Sequence, residues 1–121
     1  GGMGRCRDRR DDRRGALVTR PHQGEVWWAE AEEKRRPVLV VSRSEAAAVL
    51  TWLIVAPVTR SVRAIPTHLP LGREEGLDVP CAASLDNLQP IRASFLIQRV
   101  GALDPARRPQ LCWALRALAD C

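Results

Sequence analysis

Metal-ligand spacing is missing from this chain. It has two histidines, His22 and His68, far apart in sequence, and four cysteines, Cys6, Cys81, Cys112 and Cys121, with no CxxC pair. Zinc sites draw on Cys and His at short, regular spacing, so neither a metal nor another cofactor is expected. An even cysteine count without a secretion signal does not imply disulfides, and free thiols are the expectation.

Long apolar runs are also missing. The longest, "AAAVLTWLIVAPV", is thirteen residues and contains a threonine and a proline, whereas a membrane span needs about 20. The basic start is followed only by "GALV" before polar residues return, too short for the apolar core of a signal peptide, roughly 7–15 residues. The sequence therefore predicts a soluble, cytoplasmic protein. No internal repeat and no second domain are visible, and 121 residues suit one domain.

What is abundant is arginine. The formal net charge is +5 and the pI about 9.8, which invites a nucleic-acid reading, but the position of the charge decides its meaning. Residues 1–20 hold seven arginines and three aspartates, a net of +4, so the remainder is almost balanced. The stretch "RCRDRRDDRRGALVTR" has no apolar periodicity and reads as a basic, disordered tail over residues 1–21. A nucleic-acid-binding arm is the other reading. Residues 22–121 form the expected domain.

From Gly24 the chain changes character. "GEVWWAE" (24–30) has the aromatic and β-branched weight of a strand. Adjacent strand side chains point to opposite faces, so Trp27 and Trp28 cannot share one core. A polar turn, "AEEKR", leads to "PVLVVS", apolar on both faces as a central strand is. "RSEAAAVL" reads as a loop with one helical turn, and "TWLIVAPVT" (51–59) as a second buried strand with Pro57 near its end or at a bulge. "AIPTHLPLG" (64–72), marked by prolines, suits an edge strand. "CAASLDNLQPI" contains one more strand and "SFLIQRVGAL" a shorter one.

Asp104 and Pro105 then signal a helix start, and Leu111, Leu115, Leu118 and Ala119 recur at helical spacing. Pro109 disturbs a first turn, so the regular helix is expected over about 109–119. One amphipathic helix on five or six short strands gives a mainly β fold, a small bent barrel.

Six segments in series carry a resemblance: "GEVWWAE", "RRPVLVVS", "LIVAPVTR", "IPTHLPLG", "DNLQPI" and "RVGALD" before a last helix. In this order and spacing, residues 22–121 resemble the MazF/PemK family of toxin endoribonucleases from type II toxin–antitoxin systems. The resemblance implies a small curved antiparallel SH3-like β-barrel of the MazF/CcdB toxin type, found as a homodimer. It implies sequence-selective, metal-independent cleavage of single-stranded RNA. The ribose 2′-OH is then the nucleophile, and the ends are a 2′,3′-cyclic phosphate and a 5′-OH. It also implies an antitoxin partner with an acidic, flexible segment. By position in these motifs, the catalytic residues are Arg36, directly before the proline, and Thr59, ending "APVT". Between the first two strands relatives often carry a longer glycine-containing loop; here only "AEAEEKR" is present, so no target sequence is carried over.

The residues support this chemistry independently. Attack by a 2′-OH loads negative charge onto a pentacoordinate phosphorus, which preorganised cationic donors stabilise. A guanidinium offers a planar fork to phosphate oxygens, and a residue before proline is held extended, giving Arg36 a defined exit from its strand. Arginine is a poor base at neutral pH, so charge stabilisation is the role read from the residue, and proton transfer by Arg36 stands only as what the resemblance implies. Arg35, pointing opposite to Arg36 on an extended chain, reads as a surface or phosphate-positioning charge. Arg60 and Arg63 extend a basic groove, and Asp86, Asn87 and Gln89 offer donors and acceptors toward bases. Each has an ordinary alternative in a solvated face or polar turn. His68 could serve as an acid or base, but on its edge strand a structural or surface role is expected. The tryptophans, able to stack bases, are expected chiefly in core packing. Two competing functions remain: a non-catalytic toxin of the same fold that poisons a topoisomerase, and a nucleic-acid-binding barrel without catalysis.

Overall fold

The structure, a computed structural model, describes residues 20–31, 33–43 and 51–118. The basic stretch 1–19, the expected helical turn within 44–50 and Ala119 lie outside the described residues. Among the described residues there are seven strands and one α-helix: β1 (Glu25–Ala31), β2 (Lys34–Val40), β3 (Trp52–Thr59), β4 (His68–Leu71), β5 (Cys81–Ser84), β6 (Gln89–Arg92), β7 (Leu96–Ala102) and α1 (Arg108–Leu118).

All strand pairings are antiparallel, in the order β4-β5-β3-β2-β1-β7, with β6 paired to β3 beside β5. The expected barrel is a curled sheet: among the described residues its end strands β4 and β7 are not hydrogen-bonded to each other. The sequence expectation of five or six strands is corrected to seven among the described residues. "CAASLDNLQPI" is two strands, β5 and β6, broken by a 3-10 turn at Leu85–Asn87. β7 is not short; its seven residues pair along β1 through two register shifts.

Alternation along the central strands makes two cores, one on each face. Leu39 and Val41 join Val26, Ala56, Leu69, Leu85 and Leu103 under the helix residues Leu111 and Ala114. Val38 and Val40 join Trp27, Ala29, Leu53, Val55 and Leu96 on the other face. Trp27 is buried and donates its indole N–H to Glu25 Oε1 at 2.9 Å, while its neighbour Trp28 is half-buried. The short turn between β1 and β2 passes through Glu33 at a φ of 65°, closing on the pair Ala31 and Lys34.

The helix start is a compound one. Asp104 accepts the Ala106 N–H at 2.9 Å and caps a 3-10 turn, Pro105–Arg107, that leads into α1. Pro109 is the second residue of α1, where its missing N–H costs no helical bond. Arg107 also ties this corner to the sheet. Its Nη1 lies 2.8 Å from the buried Glu75 carboxylate, and its Nη2 donates to the Pro70 carbonyl at 2.7 Å. Of the leucines expected on the inner helix face, Leu111 is buried and Leu115 half-buried, but Leu118 is exposed; Ala114 takes the second buried place.

Candidate nucleic-acid interface

β2 and β3 pair through Val38–Pro57, Leu39–Ala56 and Val40–Val55. Val38–Pro57 is the last rung. Beyond it β2 continues to Arg36 while β3 turns to pair with β5 through Val58–Ala83 and Thr59–Ala82. Strand side chains alternate, so Arg36 shares the face of Val38, and Thr59 the face of Pro57. The two candidate catalytic residues thus stand on one face, each two residues beyond the same rung.

A cleft opens on either side of that rung. The first, about 370 Å³, is lined by Lys34, Arg36, Val38, Trp52, Gln89, Arg92 and Phe95, with Ala29, Ala31, Pro90 and Ile91 as its floor. Three of these residues are cationic, two are exposed aromatics and none is a carboxylate. The second, about 280 Å³, is lined by Pro57, Thr59, Ser61, Arg63, Ile65, His68, Ser84, Asp86 and Asn87. Val38 lines one and Pro57 the other, so the clefts abut at their shared rung.

Hydrogen bonds fix what each group in the second cleft can still offer. Thr59 Oγ1 accepts the Ser61 N–H at 3.0 Å, which leaves its own O–H to donate. His68 Nδ1 accepts the Arg63 N–H at 3.3 Å, which occupies that ring nitrogen. Asp86 Oδ2 accepts the Thr67 hydroxyl at 2.6 Å, and the Asn87 amide donates to Ser84 Oγ at 2.8 Å. The 3-10 turn at Leu85–Asn87 positions Asp86 and Asn87 in this cleft, and β6 then carries Gln89 into the other.

Six of the eight residues singled out from the sequence therefore line the paired clefts: Arg36 and Gln89 on one side, Thr59, Arg63, Asp86 and Asn87 on the other. Two do not. Arg60 is exposed and lines neither cleft. Arg35 lies on the opposite face of β2, its guanidinium 5.3 Å from the centre of the Trp28 ring. That contact gives the second half of the tryptophan pair its surroundings: Trp27 in the core, Trp28 beneath an arginine. Sequence reasoning passed over Lys34, Arg92 and Phe95. Arg92 is paired with Trp52 across β6 and β3, a contact that only the register reveals. His68, expected to be structural, does sit on the edge strand and also lines the second cleft.

Among the described residues no three His, Cys, Asp or Glu side chains gather where a metal ion would be held. Cys81 is buried and Cys112 exposed, both as free thiols. No helix among the described residues is long and apolar enough to cross a membrane.

The model of the PemK-like, MazF-like toxins of type II toxin–antitoxin systems matches residues 22–119. The chain is 39% identical over 109 residues to the probable endoribonuclease MazF5 of Mycobacterium tuberculosis, covering 87% of this chain and 98% of that protein. Among solved structures, the Mycobacterium tuberculosis toxin MazF-mt6 superimposes with a TM-score of 0.74 at 33% identity, covering 79% of this chain and 96% of that one. An endoribonuclease in complex with its cognate antitoxin, from mycobacterial species, matches with a TM-score of 0.71 at 22% identity, over 82% of this chain and 94% of that one. At that identity the likeness is one of fold.

Proposed function

The chain belongs to the PemK-like, MazF-like toxins of type II toxin–antitoxin systems, and from this premise we propose that it is an endoribonuclease cutting single-stranded RNA at the junction of the two clefts. The observation that carries the reading is the placement of Arg36 and Thr59, on one face and two residues past the Val38–Pro57 rung.

An RNA strand laid across that rung has its scissile phosphate between the two side chains. The 2′-OH loses its proton as it attacks the adjacent phosphorus, the P–O5′ bond breaks, and the departing O5′ takes up a proton, so the products are a 2′,3′-cyclic phosphate and a 5′-OH. Arg36 stabilises the charge that develops on the equatorial oxygens, as a planar fork of donors suits. The Thr59 hydroxyl, its lone pair engaged by Ser61, donates to a phosphate oxygen. Lys34 and Arg92 bring further positive charge to the first cleft and Arg63 to the second, so the flanking phosphates are attracted along the groove. Gln89, Asp86 and Asn87 present donors and acceptors toward base edges. Nothing in this arrangement calls for a metal ion.

The same cationic groove suits an acidic antitoxin segment, which would exclude RNA by occupying it. The domain is residues 22–121, the working form is a homodimer, and the site of action is the cytoplasm. A toxin of the same fold that poisons a topoisomerase, or a barrel that only binds nucleic acid, gives no reason for Arg36 and Thr59 to flank one rung. The test is incubation of mixed single-stranded RNA with the purified protein, with mapping of the new ends. Discrete cuts with cyclic-phosphate and 5′-OH ends support the reading; intact RNA contradicts it.

A further inference from the structure

Trp52 is 51% exposed and Phe95 37%, although the sheet has two cores that accommodate large apolar side chains. Both line the first cleft, beside Lys34, Arg36 and Arg92. Trp52 is the first residue of β3 and is paired directly with Arg92 on β6. The Arg92 guanidinium sits 5.2 Å from the centre of the Trp52 ring. The indole is thus mounted on a strand and held by a cation, yet about half of the residue remains open. Leu53 and Val55, its neighbours on β3, are fully buried, so the strand beneath it is fixed.

We propose that Trp52, braced by Arg92 and sharing its cleft with Phe95, is the stacking platform for a nucleobase of the RNA next to the phosphate that Arg36 engages; this rests on the RNA-cleaving reading above. An unpaired base has an apolar π-face and is tethered to a phosphate. It therefore needs an aromatic surface and a cation within one nucleotide's reach. The cleft supplies both, and no carboxylate lines it to repel the backbone. Base–aromatic stacking tolerates any base, since each has a π-face, and a guanidinium held against an indole extends the same flat surface. The platform therefore sets the register of the strand relative to Arg36, while Gln89 on the same wall is placed to read a base edge.

The experiment uses short single-stranded oligonucleotides with 2′-O-methyl riboses, which remove the nucleophile so that binding is measured without cleavage. One base at a time is deleted to leave an abasic sugar, and affinity is read by fluorescence anisotropy. For the wild-type protein one position adjacent to the cleavage site loses roughly 5- to 100-fold in affinity when its base is removed. Trp52→Leu binds the intact oligonucleotide more weakly by a similar factor and shows no further loss at that position. Its penalties elsewhere and its salt dependence stay as in the wild type, because phosphate contacts are unchanged. Trp52→Phe, which keeps a ring, recovers part of the penalty. Equal abasic penalties in wild type and Trp52→Leu overturn the inference. A wild type that cleaves RNA but shows no base-dependent loss beside the cut overturns it too, and leaves the nuclease reading standing. A wild type that neither cleaves nor binds overturns both.

Discussion

Arg36 and Thr59 lie on different strands, each two residues past the rung where Val38 faces Pro57. The alternation of the β2 and β3 ladders puts them on the same face, and the two clefts they line meet between them. Neither position is unusual alone. A charged residue entering a strand and a threonine ending one are common, and only the shared register makes them a pair.

Thr59 is therefore expected to act through its hydroxyl rather than its shape. Thr59→Ala slows single-turnover cleavage of a labelled RNA while the circular dichroism spectrum stays that of the wild type. Thr59→Ser, which keeps the donor, restores most of the rate. Equal rates for the Ala and Ser variants contradict the assignment.

Cleavage is expected to persist in excess EDTA, because charge stabilisation is assigned to Arg36 and to a hydroxyl donor. A gel of RNA incubated with and without the chelator checks this. Activity that disappears in EDTA and returns only with Mg²⁺ refutes it. A 5′-phosphate at the new end shows that water, not the 2′-OH, is the nucleophile.

Gly101 in β7 marks a close crossing of backbones. A Cβ there would run into the Glu75 carbonyl oxygen, while one at Gly72 meets nothing within 4 Å. Gly101→Ala is expected to destabilise the fold by about 1–3 kcal/mol, the usual cost of overpacking. Gly72→Ala is expected to cost less. Chemical denaturation of the two variants side by side decides it, and equal midpoints contradict the packing account. At the same corner, Glu75→Ala strips the partner from the half-buried Arg107. Breaking such a pair costs roughly 3 kcal/mol.

These positions show where the sequence was legible and where it was not. "PVLVVS" announced a strand feeding two cores, because four consecutive apolar residues on a period-2 element must face both ways. The adjacent tryptophans had to divide by the same rule, and Asp104 named its turn through its side chain. "PTHLPL" read as an edge because Pro70 donates no ladder bond. "QPIR" did not read as a strand, since a four-residue polar segment with a proline has no pattern of its own; β6 exists because β3 offers it an edge. Ala114 was passed over because a small side chain buries itself without apolar bulk. The Trp52–Arg92 pairing and the Gly101–Glu75 crossing link residues distant along the chain, and local periodicity does not encode such distances. Arg60 looked equivalent to Arg63 until the sheet placed it outside the clefts, whereas strand alternation alone had set Arg35 opposite Arg36.

The protein is expected to be a homodimer. Trp113 is 71% exposed and lies beside Ile65, Pro66 and Pro109 in a cleft between α1 and β4, an apolar surface of the kind a partner covers. Light scattering at micromolar concentration should give twice the 13.4 kDa chain mass. A monomeric mass contradicts the expectation.

The central claim is that Arg36, rather than its neighbour Arg35, stabilises the transition state, and single-turnover kinetics on one labelled RNA test it most directly. Both residues carry the same charge, so general attraction for RNA falls similarly when either is removed. Only the side chain at the scissile phosphate stabilises charge that appears during the reaction. Arg36→Ala is predicted to lower the cleavage rate by roughly 10²-fold or more, the scale of losing one transition-state donor. Arg36→Lys should recover it only in part, because an ammonium lacks the planar fork. Arg35→Ala, which uncovers Trp28 on the opposite face, should keep a near-normal rate at saturating protein. Abolished cleavage in Arg35→Ala with a near-normal rate in Arg36→Ala would contradict the account, and with it the assignment of the two faces of β2.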